Sequence, residues 1–330
     1  MKETKYTHTS GSDGLELSAL RMEPDKKEDI KGVLQLVHGM CEHKERYIPF
    51  MEYMTSHGFV TVIHDNRGHG GSVRSPEDLG YMYENGAEAL VEDIHEITMD
   101  TKLYLEEELE LEDLPFTLLG HSMGSLAVRC YIQKYDKDID KLIVVGCPSK
   151  LSGMDAGLAF IKLLEAQKGD HARSKAADKL VMGANNRKFK DEGPSAWVCS
   201  DKVVVEEYLA DPLCSFSFTL NGYENLIKLM KQTYSDHEAS NTALPIRFYS
   251  GAEDPCAVSR RDLALAIRHL TKQGYTDVKG RMYPGMRHEI LNEKKKAYVW
   301  KDILKFIEAP APEAQKGEKE ATETLGEKEE

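Results

Sequence analysis

At 330 residues, with 41% hydrophobic and 8% aromatic residues, the chain is long and apolar enough to bury a substantial core, and it suits one large α/β domain carrying an insertion. Its formal net charge of -13 argues against a nucleic-acid partner, whose phosphates it would repel, and offers no attraction to an anionic membrane. The six cysteines show neither C-x-x-C pairs nor regular spacing, the first fourteen residues are too polar for a signal peptide, and no stretch approaches 18 apolar residues, so reduced thiols in a cytoplasmic protein are expected.

Along the chain, a polar start is followed by residues 15–22, which alternate like an exposed antiparallel strand. Residues 32–37 form a compact β-rich apolar run of the kind found in buried parallel strands, and 59–64, 116–119, 142–146 and 246–250 repeat it. Segments at 47–57, 87–106, 122–135, 259–273 and 294–308 read as helices. Such alternation predicts a mostly parallel central sheet wrapped by helices. Between 149 and 218 the rhythm breaks, with Gly, Lys and Asn clusters, an apolar-striped segment at 154–166 and no clear sheet strand. This stretch is expected to be a helical cap inserted into a core made of 1–148 and 219–308, while 309–330, rich in Pro, Ala, Lys and Glu, is expected to be a solvated, disordered tail.

Gly120-His121-Ser122-Met123-Gly124 follows the run 116–119 and opens a helical pattern. The strand before and the helix after give the short G-x-S-x-G pattern its meaning: in an α/β-hydrolase fold the serine sits on a sharp strand-to-helix turn with its hydroxyl above the sheet. A serine hydroxyl is a poor nucleophile near neutral pH, so it needs a base within reach and a third group that fixes the base's tautomer. The fold orders these as Ser, then Asp or Glu, then His. Asp254 follows the run 246–250 through Gly251-Ala252-Glu253, and His288 follows the segment 278–283 through Pro284-Gly285-Met286-Arg287. Both lie just past strands, where a parallel sheet gathers its active site. Ser122 is thus the candidate nucleophile, His288 the base and Asp254 the acid, with Glu253 as the alternative acid.

The run 32–37 leads into His38-Gly39-Met40-Cys41-Glu42-His43, a loop expected beside the nucleophile turn. The backbone N–H groups of Met40 and Met123 are the candidate oxyanion hole, fixed donors for the charge that develops on a tetrahedral intermediate. His38, directly before the glycine, is expected to shape the loop through backbone bonds.

Six motifs in this order, HGMCEHKERY (38–47), DNRGHGGS (65–72), GHSMG (120–124), ADPLCSFSFT (210–219), GAEDP (251–255) and MRHEILNE (286–293), resemble the monoacylglycerol lipase and lysophospholipase-like branch of the α/β-hydrolases, also labelled serine aminopeptidase S33 or Hydrolase_4. The resemblance covers residues 5–308. It implies hydrolysis of carboxylic esters of single-chain lipids, a mobile cap over an acyl channel, no cofactor and no metal. It also implies that Glu42 and Arg46 support the polar head-group end of the pocket, the alternative being a salt bridge that fixes the loop. Cys41 stands where the family usually has a small residue, and it is read either as a mercurial-sensitive thiol or as an inert buried one.

In the cap, Met154, Leu158, Ile161, Leu163 and Leu164 form a stripe at near-helical spacing. It packs on the sheet domain, faces an acyl channel, or makes transient contact with a membrane or micelle. Phe216 and Phe218, two apart, are candidate substrate-pocket residues or hinge-side core. The expected partner is a small-molecule acyl ester. Two other readings stay open. An S33-type aminopeptidase or amidase is disfavoured because proline-releasing members carry GGSWG around the serine and an acidic cap pocket for a free amino group, whereas the turn here is GHSMG. A non-catalytic ligand-binding homologue would be signalled by loss of a triad member, and none is missing here.

Overall fold

The computed structural model describes residues 1–257 and 259–310. The chain opens with β1 (Lys2–Thr9) and β2 (Glu16–Glu23), then β3 (Gly32–Val37), α1 (Ile48–Ser56), β4 (Phe59–His64), α2 (Gly86–Glu107), β5 (Phe116–His121), α3 (Met123–Tyr135) and β6 (Lys141–Val145). The segment after β6 carries α4 (Met154–Lys168), α5 (Lys175–Val181) and α6 (Lys202–Ala210). The chain returns through α7 (Leu220–Thr233), β7 (Ile246–Gly251), α8 (Arg260–Lys272), β8 (Val278–Tyr283) and α9 (Lys296–Glu308). All eight strands form one sheet in the order β1-β2-β4-β3-β5-β6-β7-β8. β2 runs antiparallel to both its neighbours, and every other pair is parallel.

Two covered faces explain the apolar runs. Successive side chains of a strand point to opposite sides, so a strand buried on both must be apolar throughout. Val33, Leu118, Val144 and Phe248 share one side of the sheet with Leu90 and Ile94 of α2, Leu126 of α3, Leu229 of α7 and Leu263 of α8. Leu34, Leu119, Ile143 and Tyr249 face the other side, against Phe50 of α1 and Val299 of α9.

The sheet edges differ from expectation. The polar start is a strand: β1 pairs with β2 from Lys2↔Glu23 to Thr9↔Glu16, alternating between exposed and half-buried residues because it is the sheet's edge. β2, expected to be exposed, is buried over most of its length because it lies between β1 and β4. At the opposite edge, Lys279, Gly280 and Arg281 of β8 are exposed, and charges there discourage pairing with another chain.

α7 is a helix the sequence pattern conceals, because Asn221-Gly222 reads as a turn. Thr219 instead caps the helix, its Oγ1 accepting from the Gly222 N–H at 3.1 Å. The glycine marks a close approach: an added Cβ would lie 2.1 Å from the Gly80 carbonyl oxygen. The segment 149–218 contributes no strand to the sheet. From residue 311 onward the expected tail lies outside the described residues. No helix among the described residues is long and apolar enough to cross a membrane.

Candidate active site

β5 ends at His121 and α3 begins at Met123, so Ser122 makes the turn between them. Its backbone sits at φ 54 and ψ -115, a conformation that costs an L-residue energy and persists only where the surroundings enforce it. The enforcement is steric. An added Cβ at Gly120 would lie 2.3 Å from the Gly124 carbonyl oxygen, and one at Gly124 would lie 2.2 Å from that of Val37. Strand, turn, helix and the end of β3 therefore pack backbone against backbone. Gly124→Ala is expected to cost about 3 kcal/mol of unfolding free energy, measured as a lower denaturant midpoint at unchanged slope. A loss under about 0.5 kcal/mol would show that the end of β3 can retreat.

The loops after β7 and β8 are fastened together. The Ala252 N–H donates to the Tyr283 carbonyl at 2.9 Å and the Glu253 N–H to that of Met286 at 3.0 Å. An added Cβ at Gly251 would lie 2.0 Å from the Arg287 carbonyl oxygen. This contact brings the buried pair together: His288 Nδ1 lies 3.0 Å from both Asp254 carboxylate oxygens. The Cys256 N–H donates to Asp254 Oδ1 at 2.8 Å and fixes the carboxylate. An ionised carboxylate only accepts, so the imidazole proton is held on Nδ1 and the Nε2 lone pair is left free. Asp254 rather than Glu253 is the residue that meets the imidazole. The rings of His121 and Trp197 flank His288, with centroids 4.8 and 4.9 Å away. The sequence does not single out Trp197, which lies in a stretch without period.

The loop after β3 lies against the nucleophile, since an added Cβ at Gly39 would come within 3.1 Å of Ser122 Cβ. Met40 and Met123 both line the cavity that Ser122 and His288 share. The Met123 N–H is at the first helical position, where the helix itself offers no acceptor. His38 shapes the loop: its Nδ1–H donates to the Gly39 carbonyl at 2.8 Å and its Nε2 accepts from the Asn66 N–H at 2.8 Å. Burial lowers its pKa to about 4, so it is neutral near pH 7.

Glu42 and Arg46 form the core of an internal network. The Glu42 carboxylate accepts from the Gly39 N–H at 2.5 Å, Tyr47 Oη at 2.9 Å, His121 Nδ1 at 3.0 Å and Arg46 at 3.0 Å. Burial alone would raise its pKa, but the His121 bond and the charges of His121 and Arg46 hold it well below the usual carboxylate range. Arg46 also grips Glu289 at 2.5 and 2.7 Å, through two parallel bonds. This is the loop-fixing ion pair; Glu42 touches the cavity, whereas Arg46 is not among its lining residues.

The cavity has a volume of about 510 Å³ and largely apolar walls, including Leu126, Leu180, Trp197, Leu226 and Met230. Phe216 lines it. Phe218 does not: it is fully buried, with its ring 5.3 Å from that of His69 and 5.7 Å from that of Tyr223. Of the α4 stripe, Ile161 is buried, Met154, Leu158 and Leu164 pack against the core, and Leu163 is exposed. Burial pushes the Cys41 thiol well above its ordinary pKa, and its Sγ donates to the Phe216 carbonyl at 2.9 Å where Cys41 lines the cavity. The Ser215 N–H donates to the Cys41 carbonyl at 3.2 Å, and His43 Nε2 meets Asp211 at 2.8 Å. Residues 211–216 are thereby tied to the loop after β3. Two side-chain trios, Asp254 with Cys256 and His288, and His43 with Asp211 and Cys214, bring potential metal-ligand atoms within 4.8 Å of one another. In both, imidazole–carboxylate hydrogen bonds account for the arrangement.

Known proteins share this plan. A monoacylglycerol lipase of Mycolicibacterium smegmatis is 26% identical over 286 residues, 84% of this chain and 89% of the relative. Phospholipase YtpA of Bacillus subtilis is 24% identical over 278 residues, covering 84% of this chain and 95% of its own. Among solved structures, a thermostable carboxyl esterase from Bacillus coagulans in complex with glycerol superposes with a TM-score of 0.81 at 24% identity, over 93% of this chain and 98% of that one. A soluble variant of monoglyceride lipase from Saccharomyces cerevisiae does so at 0.71 and 17%, over 93% and 94%. These structures share the α/β-hydrolase fold. A family model described as Hydrolase_4, serine aminopeptidase, S33, matches residues 28–295, and with most of its length inside that match the chain belongs to this family.

Proposed function

We propose that the protein is a serine hydrolase that cleaves carboxylic esters of single-chain lipids or small acyl groups through an acyl-enzyme. Ser122 Oγ attacks the ester carbonyl while His288 Nε2 takes its proton, and Asp254 holds the imidazole and stabilises the imidazolium. The N–H groups of Met40 and Met123 meet the oxyanion. Collapse of the tetrahedral intermediate expels the alcohol, which takes the proton from His288, and a water molecule repeats the sequence to release the acid. Residues 149–218 act as the cap that walls the acyl site, and the exposed Leu151, Phe160 and Leu163 support contact with a lipid aggregate.

The observation that carries this reading is the buried Asp254–His288 pair opening onto the same cavity as Ser122 on its strained turn. The relatives named as a monoacylglycerol lipase and a phospholipase, together with the apolar cavity, support an ester substrate. The test is a series of p-nitrophenyl esters from acetate to palmitate and a 2-monoacylglycerol, run beside proline and alanine anilides. Esters are expected to be cleaved and a fluorophosphonate probe to label Ser122. Faster cleavage of the anilides would replace this reading with an aminopeptidase.

A further inference from the structure

The cavity is lined by three carboxylates, Glu42, Asp178 and Glu289, and among the described residues no lysine or arginine lines it. Two of the three are compensated. Arg46 pairs with both Glu42 and Glu289, and His121 adds a bond to Glu42. Burial would lower the His121 pKa, but the Glu42 carboxylate more than offsets this and leaves it raised.

Asp178, on α5, differs. Its Oδ1 accepts from Ser217 Oγ at 2.5 Å and from Tyr223 Oη at 2.7 Å. Both donors are neutral, so they fix the carboxylate's orientation without cancelling its charge. Among the described residues Oδ2 has no hydrogen-bond donor and no cation forms an ion pair with this side chain. The nearby Arg173, Lys175 and Lys179 are exposed and are not among the lining residues. An oriented, uncompensated carboxylate set in mostly apolar walls exerts a weakly screened field on whatever enters.

We propose that Asp178 determines which esters are accepted: it takes a hydrogen bond from a hydroxyl or ammonium group of the substrate and repels substrates that carry an anionic group. This rests on the ester-hydrolase reading and narrows it to neutral and cationic esters, against phosphate monoesters. Each negative charge about 6 Å from an unpaired carboxylate, at an effective dielectric of about 20, is disfavoured on the order of 100-fold, so a phosphate monoester is disfavoured by at least that.

The test compares kcat/KM for 1-lauroylglycerol, lauroylcholine and 1-lauroylglycerol 3-phosphate in the wild type and in Asp178→Asn. Each ratio is taken within one protein, so a general loss of activity cancels. In the wild type, the glycerol and choline esters are expected to exceed the phosphate ester by about 100-fold, and the variant to compress that ratio to about tenfold or less. Wild-type turnover of the phosphate ester within about threefold of the glycerol ester, or a variant with wild-type ratios, overturns the proposal. Calorimetric binding of decyltrimethylammonium and decyl phosphate to wild-type protein and to Asp178→Asn, below their micellar concentrations, tests the charge preference without chemistry. Tighter binding of the cation by the wild type, by about tenfold or more and lost in Asp178→Asn, sustains the role of Asp178 even if no ester is cleaved, in which case only the hydrolase reading fails. Equal binding of the two, or the same preference in the variant, overturns it.

Discussion

Ser122→Ala is expected to lower kcat for ester hydrolysis by about 100,000-fold or more, because nothing else at the turn can form the acyl-enzyme. The loss is large for a physical reason. His288 and Asp254 have no function in turnover once the hydroxyl they activate is gone, so removing the serine forfeits the contribution of all three. Residual turnover would come from the oxyanion donors and from substrate positioning alone. Alanine at φ 54 keeps the strained backbone and the same glycine contacts, so the variant is expected to remain folded, with an unchanged thermal midpoint and no fluorophosphonate labelling. Turnover within tenfold of wild type would remove Ser122 from the mechanism.

Asp254→Asn is expected to lower kcat by about 10,000-fold. The Cys256 N–H holds Oδ1 at 2.8 Å and draws the amide oxygen to that side, which leaves the amide NH₂ facing His288. Donation from that NH₂ to Nδ1 drives the imidazole proton onto Nε2, the nitrogen that has to accept the serine proton. The geometry survives while the tautomer is wrong. Steady-state kinetics with one activated ester, together with a thermal melt to confirm folding, measure the effect; a loss below tenfold would hand the orienting role to Glu253.

The parts legible in the sequence are those where one physical demand dominates. Strands buried on both faces, such as β3 and β5, must be apolar throughout, and the strained Ser122 turn needs glycines on either side, so both are visible as patterns. The order of Ser122, Asp254 and His288 follows from the loops after β5, β7 and β8. β1 is hidden because an edge strand with one neighbour has little to bury, and α7 because Gly222 serves a close approach to Gly80 instead of a turn. At the site, Glu42 and Arg46 are visible as charged residues of a motif, but the pairing of Arg46 with Glu289 depends on a loop about 240 residues away in the chain. Phe216 and Phe218 look equivalent in sequence, and only the packing separates the wall residue from the core one. Asp178 and Trp197 lie in a segment whose shape is set by what it covers, so no local period marks them.

The bonds joining residues 211–216 to the loop after β3 restrict how the molecule can admit a ligand. Rotating residues 149–218 about that seam would pull on the loop that carries Met40, one of the two proposed oxyanion donors. On the proposed reading, ligand entry is expected beside Leu151 and Leu180, which line the cavity and meet solvent, with the loop after β3 left in place.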